Sequence, residues 1–144
     1  MSFPYKRILC AVDFDDNAAT AIKEAGALAR ASNGVVVLLH VVWINPLATE
    51  GYVLAELQKS QTEDASLKLE EAARRALSGA KYELEITIGE PGDSIVAAEK
   101  RCAADLVVMA THGRHGVSRL MLGSVAERVV RSSTVPVLTV RQQG

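Results

Sequence analysis

Leu106-Val-Val-Met109, then Ala110-Thr-His-Gly113, then after nine further residues Gly123-Ser124-Val125: an apolar run, a glycine-bearing loop and a helical run follow one another near the C-terminus. The uninterrupted apolar run reads as a strand buried on both faces. Gly113 and Gly123 lack the Cβ that would hold a side chain between backbone and ligand, so their amides can approach an oxyanion closely. Ser124 then opens a helix, whose first turn carries unpaired N–H groups and a partial positive charge that together favour a bound phosphate. Strand, phosphate cradle and helix in that order make one unit of an α/β domain, and the unit predicts a bound nucleotide.

The rest of the chain repeats the alternation. Ile8 to Val12 is the first strand, and Asp15, Asp16 or Asn17 can cap a following helix with Ala18, Ile22, Ala25 and Ala29 on one face, ending near Asn33-Gly34. Val35 to Val42 is a second buried strand, and Trp43 to Gly51, with Pro46 and no periodicity, reads as a loop. A long helix carries Ala65, Leu69, Ala72, Ala76 and Leu77 inward, with Glu70, Glu71, Arg74 and Arg75 facing water, and Gly79 marks its end. Tyr82 to Ile88 alternates apolar and polar residues, so the third strand belongs at a sheet edge. Gly89-Glu-Pro-Gly92 leads into a short helix with Ile95, Ala98 and Cys102 inside. After the cradle, a helix from about Ser124 to Arg131 turns Ala126, Val129 and Val130 to the core, and Val135 to Val140 makes a fifth strand whose Pro136 suggests an edge.

This pattern predicts one domain over residues 1–144, an α/β fold with a doubly wound, five-stranded, mainly parallel sheet and helices on both faces. Right-handed crossovers and the edge character of strands three and five give the order 3-2-1-4-5. A chain of this length buries roughly 68–70% of its unfolded surface, enough for a core without staples.

Sixteen basic and seventeen acidic residues leave a net charge of −1, with no run of like charges to suggest a nucleic-acid or membrane partner. Cys10 and Cys102 sit in apolar segments without CxxC spacing, which argues against a disulfide framework or zinc site and fits a reducing, cytoplasmic compartment. The N-terminus runs straight into a strand without an apolar signal segment, and no window reaches the length of a membrane span.

In a doubly wound sheet, ligands bind outside the carboxyl ends of the strands where the winding reverses, here between strands one and four. Asp13 ends strand one, Val41 lies late on strand two, and the cradle follows strand four. An acid, an apolar wall and a phosphate nest thus converge from distant parts of the chain.

Ala11-Val12-Asp13-Phe14, Leu38-Leu-His-Val41 and the spacing Ala110-x2-Gly113-x9-Gly123-Ser124 carry a resemblance over essentially the whole chain. The sequence resembles the universal stress protein family, specifically its ATP-binding branch, whose pattern after strand four is G-x2-G-x9-G followed by Ser or Thr. The departure is Ala110 in place of the first glycine, a methyl that would crowd the backbone if that residue needed positive φ. The resemblance implies that Asp13 and Val41 hold ribose or adenine while Gly113, Gly123, Ser124 and Val125 surround the phosphates of ATP, with Mg2+ left open beside it. Ala11, Val12, Met109, Ala110, Arg114 and Gly116 complete the candidate nucleotide set. The resemblance also implies a homodimer paired through strand five, at Val135, Val137, Leu138 and Val140.

Each residue also has a plainer role. Asp13 can simply start a loop, and Gly113 and Gly116 can be ordinary loop residues. Ser124 and Glu127 have the S-x-x-E spacing of a capping box. His112 and His115 are three residues apart but lack a further ligand for a metal; beside Arg114 and Arg119 their use is to screen a triphosphate. His40 reads as a strand residue packed in the sheet. Leu120-Met-Leu122 reads as an apolar anchor pinning the loop to the core.

The chain contains no G-x-x-x-x-G-K-S/T, no G-x-S-x-G and no Cys-His nucleophile, so no catalytic residue or metal ligand is assigned and hydrolysis is expected to be slow at most. The leading expectation is an ATP-binding stress or regulatory protein switched by its nucleotide. The alternative is a nucleotide-free dimeric interaction module of the same fold. A phosphoacceptor receiver, suggested by Asp13, Asp15 and Asp16, lacks both the acceptor aspartate and the lysine at later strand ends.

Overall fold

The computed structural model describes residues 3–14, 18–111 and 122–141. Its elements run β1 (Arg7–Val12), α1 (Ala18–Ser32), β2 (Val35–Val42), a 3-10 turn (Pro46–Ala48), α2 (Gly51–Ala76), β3 (Lys81–Ile88), α3 (Pro91–Arg101), β4 (Leu106–Ala110), α4 (Ser124–Ser132) and β5 (Val137–Val140). The five strands form one sheet in the order β3-β2-β1-β4-β5, and every neighbouring pair is parallel. The doubly wound architecture and the strand order read from the sequence are therefore the ones observed.

Strand alternation sends successive residues to opposite faces of the sheet, and two separate apolar layers result. Ile8, Cys10 and Val12 of β1 join Val36 and Leu38 of β2 beneath Ala21, Ile22, Ala25 and Ala29 of α1 and Leu69 and Ala73 of α2. Leu9, Ala11, Val37, Leu39, Val107 and Met109 form the other layer with Ile95 and Ala98 of α3 and Ala126 and Val129 of α4. A fully buried leucine such as Leu38 contributes roughly 1.5–3 kcal/mol by its removal from water. The alanine-rich inner face of α1 lets that helix sit close on the sheet.

The turn from α1 to β2 has a strict shape. Asn33 takes a left-handed φ of 54°, and the Gly34 N–H reaches back to the Ala29 carbonyl at 2.8 Å, the closing bond of a Schellman motif. A Cβ on Gly34 would lie 2.8 Å from the Tyr5 carbonyl oxygen and 2.9 Å from that of Lys6. Here glycine serves close approach to β1, not a positive φ.

The structure corrects several local expectations. Val130 is 46% exposed rather than in the core, because the short helix α4 turns only Ala126 and Val129 fully inward. On α2, Ala73 is the fully buried alanine, while Ala72 and Ala76 are half-buried beside it. Strand five begins at Val137, not Val135, and Pro136 lends its carbonyl to Val107 N–H at 3.0 Å. The stretch read as a loop contains a 3-10 turn capped by the Asn45 side chain on Leu47 N–H at 2.9 Å, and Gly51 already belongs to α2.

The first half of α2 is the less covered half. No residue of that helix before Ala65 is buried, and Tyr52 is 80% exposed. Among the described residues no helix is long and apolar enough to cross a membrane. The Asp15, Asp16 or Asn17 cap of α1 lies outside the described residues.

Candidate functional site

Where β1 and β4 lie side by side, successive crossovers leave toward opposite edges of the sheet, and the carboxyl ends of both strands open on the reversal. Ala11 pairs with Met109 across this seam. Both side chains are buried in the layer beneath α3 and α4, and half-buried Val41, Leu122 and Val125 pack on the same layer. Ala11, Met109, Val41 and Val125 thus share one face of the sheet. Val12 does not: its side chain lies in the opposite layer beneath α1 and α2, and its carbonyl bonds His40 Nδ1 at 2.8 Å.

Asp13 follows directly on β1 and is half-buried. Phe14 comes next with φ 65°, a left-handed backbone that costs an aromatic residue on the order of 1–3 kcal/mol and persists only where its surroundings impose it. The Phe14 ring lies on the His40 imidazole with centroids 4.4 Å apart.

The start of α4 is built by three described residues. Thr111, 6% exposed, donates both its N–H and its hydroxyl to the Val140 carbonyl at the end of β5. Its own carbonyl accepts the Gly123 N–H at 2.9 Å. Gly123 is the N-cap, with φ −65° and ψ 160°, and the first intrahelical bond runs from Glu127 N–H back to the Gly123 carbonyl at 2.9 Å. The amides of Ser124, Val125 and Ala126 are therefore the first-turn donors that have no acceptor within the helix.

This arrangement changes two sequence readings. The capping box is not formed as read, since Gly123 rather than Ser124 caps the helix and Ser124 is its first residue. The Gly123 amide, read from the sequence as a phosphate donor, is committed to the Thr111 carbonyl at 2.9 Å, so the amides without a helical acceptor begin at Ser124.

The two helices covering this face begin differently. At α3 the Glu90 carboxylate accepts Gly92 N–H at 3.1 Å and Asp93 N–H at 2.8 Å, so that helix start is closed by its own acid. At α4 the cap has no side chain, and Glu127 in its first turn is drawn to Arg131 at 2.6 Å. Arg128 on the same helix reaches Asp93 of α3 at 2.6 Å. Of the two, α4 is the helix start without a side-chain cap.

Neither thiol is activated by its surroundings. Burial pushes Cys10 up to about 12, and burial likewise raises half-buried Cys102, against the pull of the neighbouring Arg7 guanidinium.

Residues 4–141 match the family described as the Universal stress protein family. The chain belongs to the universal stress protein family. It is similar to Universal stress protein MJ0531 of Methanocaldococcus jannaschii, 35% identical over 143 residues that span 96% of this chain and 83% of that one. Universal stress protein MJ0577 of the same organism is 31% identical over 160 residues, 99% of each chain. The solved MJ0577 structure superposes with a TM-score of 0.87 at 32% identity, covering 97% of this chain and 98% of its own. A universal stress protein solved in complex with cAMP superposes with a TM-score of 0.77 at 26% identity, covering 97% and 99%.

Within this universal stress protein, Ala110 is an ordinary strand residue that closes β4 and is absent from the described residues with positive φ. The missing glycine therefore costs no backbone strain. Gly113, Arg114 and Gly116, with His112, His115 and Arg119, lie outside the described residues, as do Leu120 and Met121 of the apolar anchor. Leu122 does pack on the core. Sequence reasoning missed Thr111 as the anchor of α4 and Phe14 as a left-handed residue. A threonine directly after a buried strand was the available signal for the first; nothing local marked the second.

Proposed function

We propose that this universal stress protein binds an adenine nucleotide, ATP in the first instance, and acts as a regulatory protein whose state follows occupancy, with at most slow hydrolysis. One observation carries the reading: the open first turn of α4, capped by Gly123 and tied to β4 through Thr111, begins on the sheet face that also presents Val41 and Met109. In this reading Asp13 and Val41 hold ribose or adenine. Ser124 and Val125, with Gly113 and Gly123, surround the phosphates, and Ala11, Ala110, Arg114 and Gly116 complete the surroundings, Val12 being turned to the opposite layer. The relative solved with cAMP supports an adenine ligand. Magnesium would enter with the triphosphate and not through a dedicated protein cage.

The chemistry these residues support is that of binding. Backbone donors and a helix start favour the polyanion, while the chain has no P-loop lysine to stabilise a transferring phosphoryl group. Calorimetric titration with ATP, ADP, AMP and cAMP, with and without Mg2+, tests the proposal. Uptake of one or more adenylates supports it, and no uptake at millimolar concentration overturns it.

A second reading, a nucleotide-free dimeric module, is favoured by the edge position of β5, whose Leu138 is 38% exposed. Homodimer pairing would run along the backbone edge of Val137 to Val140, with Val135 and Val137 packing inward on the α3 and α4 layer. A cytoplasmic location agrees with both readings. Mass spectrometry of gently purified protein separates them: a nucleotide that co-purifies favours the first.

A further inference from the structure

We propose that His40 is a positioning residue for Asp13, fixing the peptide before that acid and the residue after it; the inference rests on the nucleotide reading above. His40 pairs with Val12 in the β1–β2 register, and its Nδ1 meets the Val12 carbonyl at 2.8 Å. A carbonyl oxygen only accepts, so Nδ1 carries the hydrogen and donates. That carbonyl belongs to the same planar peptide unit as the Asp13 N–H, and the bond therefore sets the plane from which Asp13 departs.

The same imidazole works on the other side of Asp13. Phe14 holds φ 65°, which few residues with an aromatic side chain adopt unless the surroundings impose it. Its ring lies against His40 with centroids 4.4 Å apart and planes tilted by 34°. Lys68 Nζ of α2 stands 5.7 Å from the Phe14 centroid and is drawn to Asp64 at 3.0 Å. Asp13 is thus bracketed: one side chain from β2 clamps the peptide preceding it and supports the ring following it. A strained backbone held in this way at a strand tip aims the intervening side chain, and aim is what recognition of a ribose or base edge requires.

Two substitutions divide the two contacts. His40→Asn keeps a donor near the Nδ1 position without the ring, and His40→Phe keeps a ring against Phe14 without the donor. Calorimetric titration with ATP, paired with thermal unfolding of each variant, is expected to show His40→Phe weakened by about 10-fold or more and His40→Asn by about 3- to 10-fold, since each loses one of the two contacts. Phe14→Gly gives an independent arm, since glycine tolerates the left-handed φ. Relief of the left-handed strain offsets part of the packing that Phe14 gives the core, so the variant is expected to remain folded at 25 °C and bind ATP about 10-fold more weakly. Parental affinity in both His40→Phe and Phe14→Gly overturns the positioning role alone. A parent that takes up no adenylate overturns the nucleotide reading and this inference with it.

Discussion

Thr111 delivers its backbone N–H and its hydroxyl to a single oxygen, the carbonyl of Val140, at 2.9 Å each. The Thr111 carbonyl meanwhile holds Gly123, so one buried residue joins the end of β5 to the start of α4. Thr111→Val keeps the volume and the backbone bonds but removes the hydroxyl donor. It is expected to lower stability by about 1 kcal/mol, read as a shift of the urea midpoint, and Thr111→Ser is expected to recover most of that loss.

Ser124 is the first helical residue of α4 and not its cap. Ser124→Ala should therefore leave thermal unfolding nearly unchanged, well short of the roughly 1 kcal/mol typical of a lost cap. If the hydroxyl contacts phosphate, the same variant binds ATP roughly 10- to 150-fold more weakly, the equivalent of a lost hydrogen bond to a charged group. Titration and melting of one protein measure both.

Cys10 and Cys102 should separate in their reactivity. Cys10 is fully buried and burial pushes its thiol up to about 12, whereas Cys102 is half-buried. A thiol reagent is expected to label Cys102 in the native protein and Cys10 only on unfolding. The pH dependence follows from the raised Cys10 value. In the unfolded chain this thiol ionises near pH 8.5, while the folded chain keeps its proton, so the contribution is complete below that pH and fades as pH climbs toward 12, by about 1.4 kcal/mol per unit. Urea titrations of the parent and Cys10→Ala at pH 8 and pH 10 should show a steeper alkaline loss in the parent.

Glu99 is a carboxylate 2% exposed at the end of α3. It receives the Ser133 hydroxyl and, from Thr134, an N–H at 3.3 Å and a hydroxyl at 3.1 Å, tying α3 to the turn between α4 and β5. Glu99→Ala removes the acceptor of three part-buried hydrogen bonds and the volume of a buried side chain, and is expected to cost about 1–3 kcal/mol of stability by denaturant unfolding. Glu99→Gln, which keeps an acceptor oxygen, should cost less.

The architecture was legible because it rests on patterns that the whole chain repeats. Val35 to Val42 is apolar without a break save His40, and it forms β2 with the bounds the run predicts. The half-polar alternation from Tyr82 to Ile88 marked β3 as an edge, and edges with right-handed crossovers fixed the order of all five strands. Details of the site were less visible since they depend on contacts between distant segments. Glu99 reads as one more solvated acid until the turn at Ser133 and Thr134 closes over it. Val130 has the hydrophobicity of a core residue, but in so short a helix the inward arc is set by where α4 meets α3 and the sheet. The S-x-x-E spacing at Ser124 and Glu127 suits a capping box one residue away from the cap that Thr111 imposes by binding Gly123.

The uneven cover of α2 divides that helix mechanically. From Ala65 onward its turns carry the buried residues Ala65, Leu69 and Ala73, whereas the turns beginning at Gly51 only half-bury Leu54, Gln58 and Thr62. Local opening of α2 is therefore expected to start at Gly51 and stall at Ala65, and limited proteolysis of the native chain is expected to cut within the first turns of this helix before those that follow Ala65.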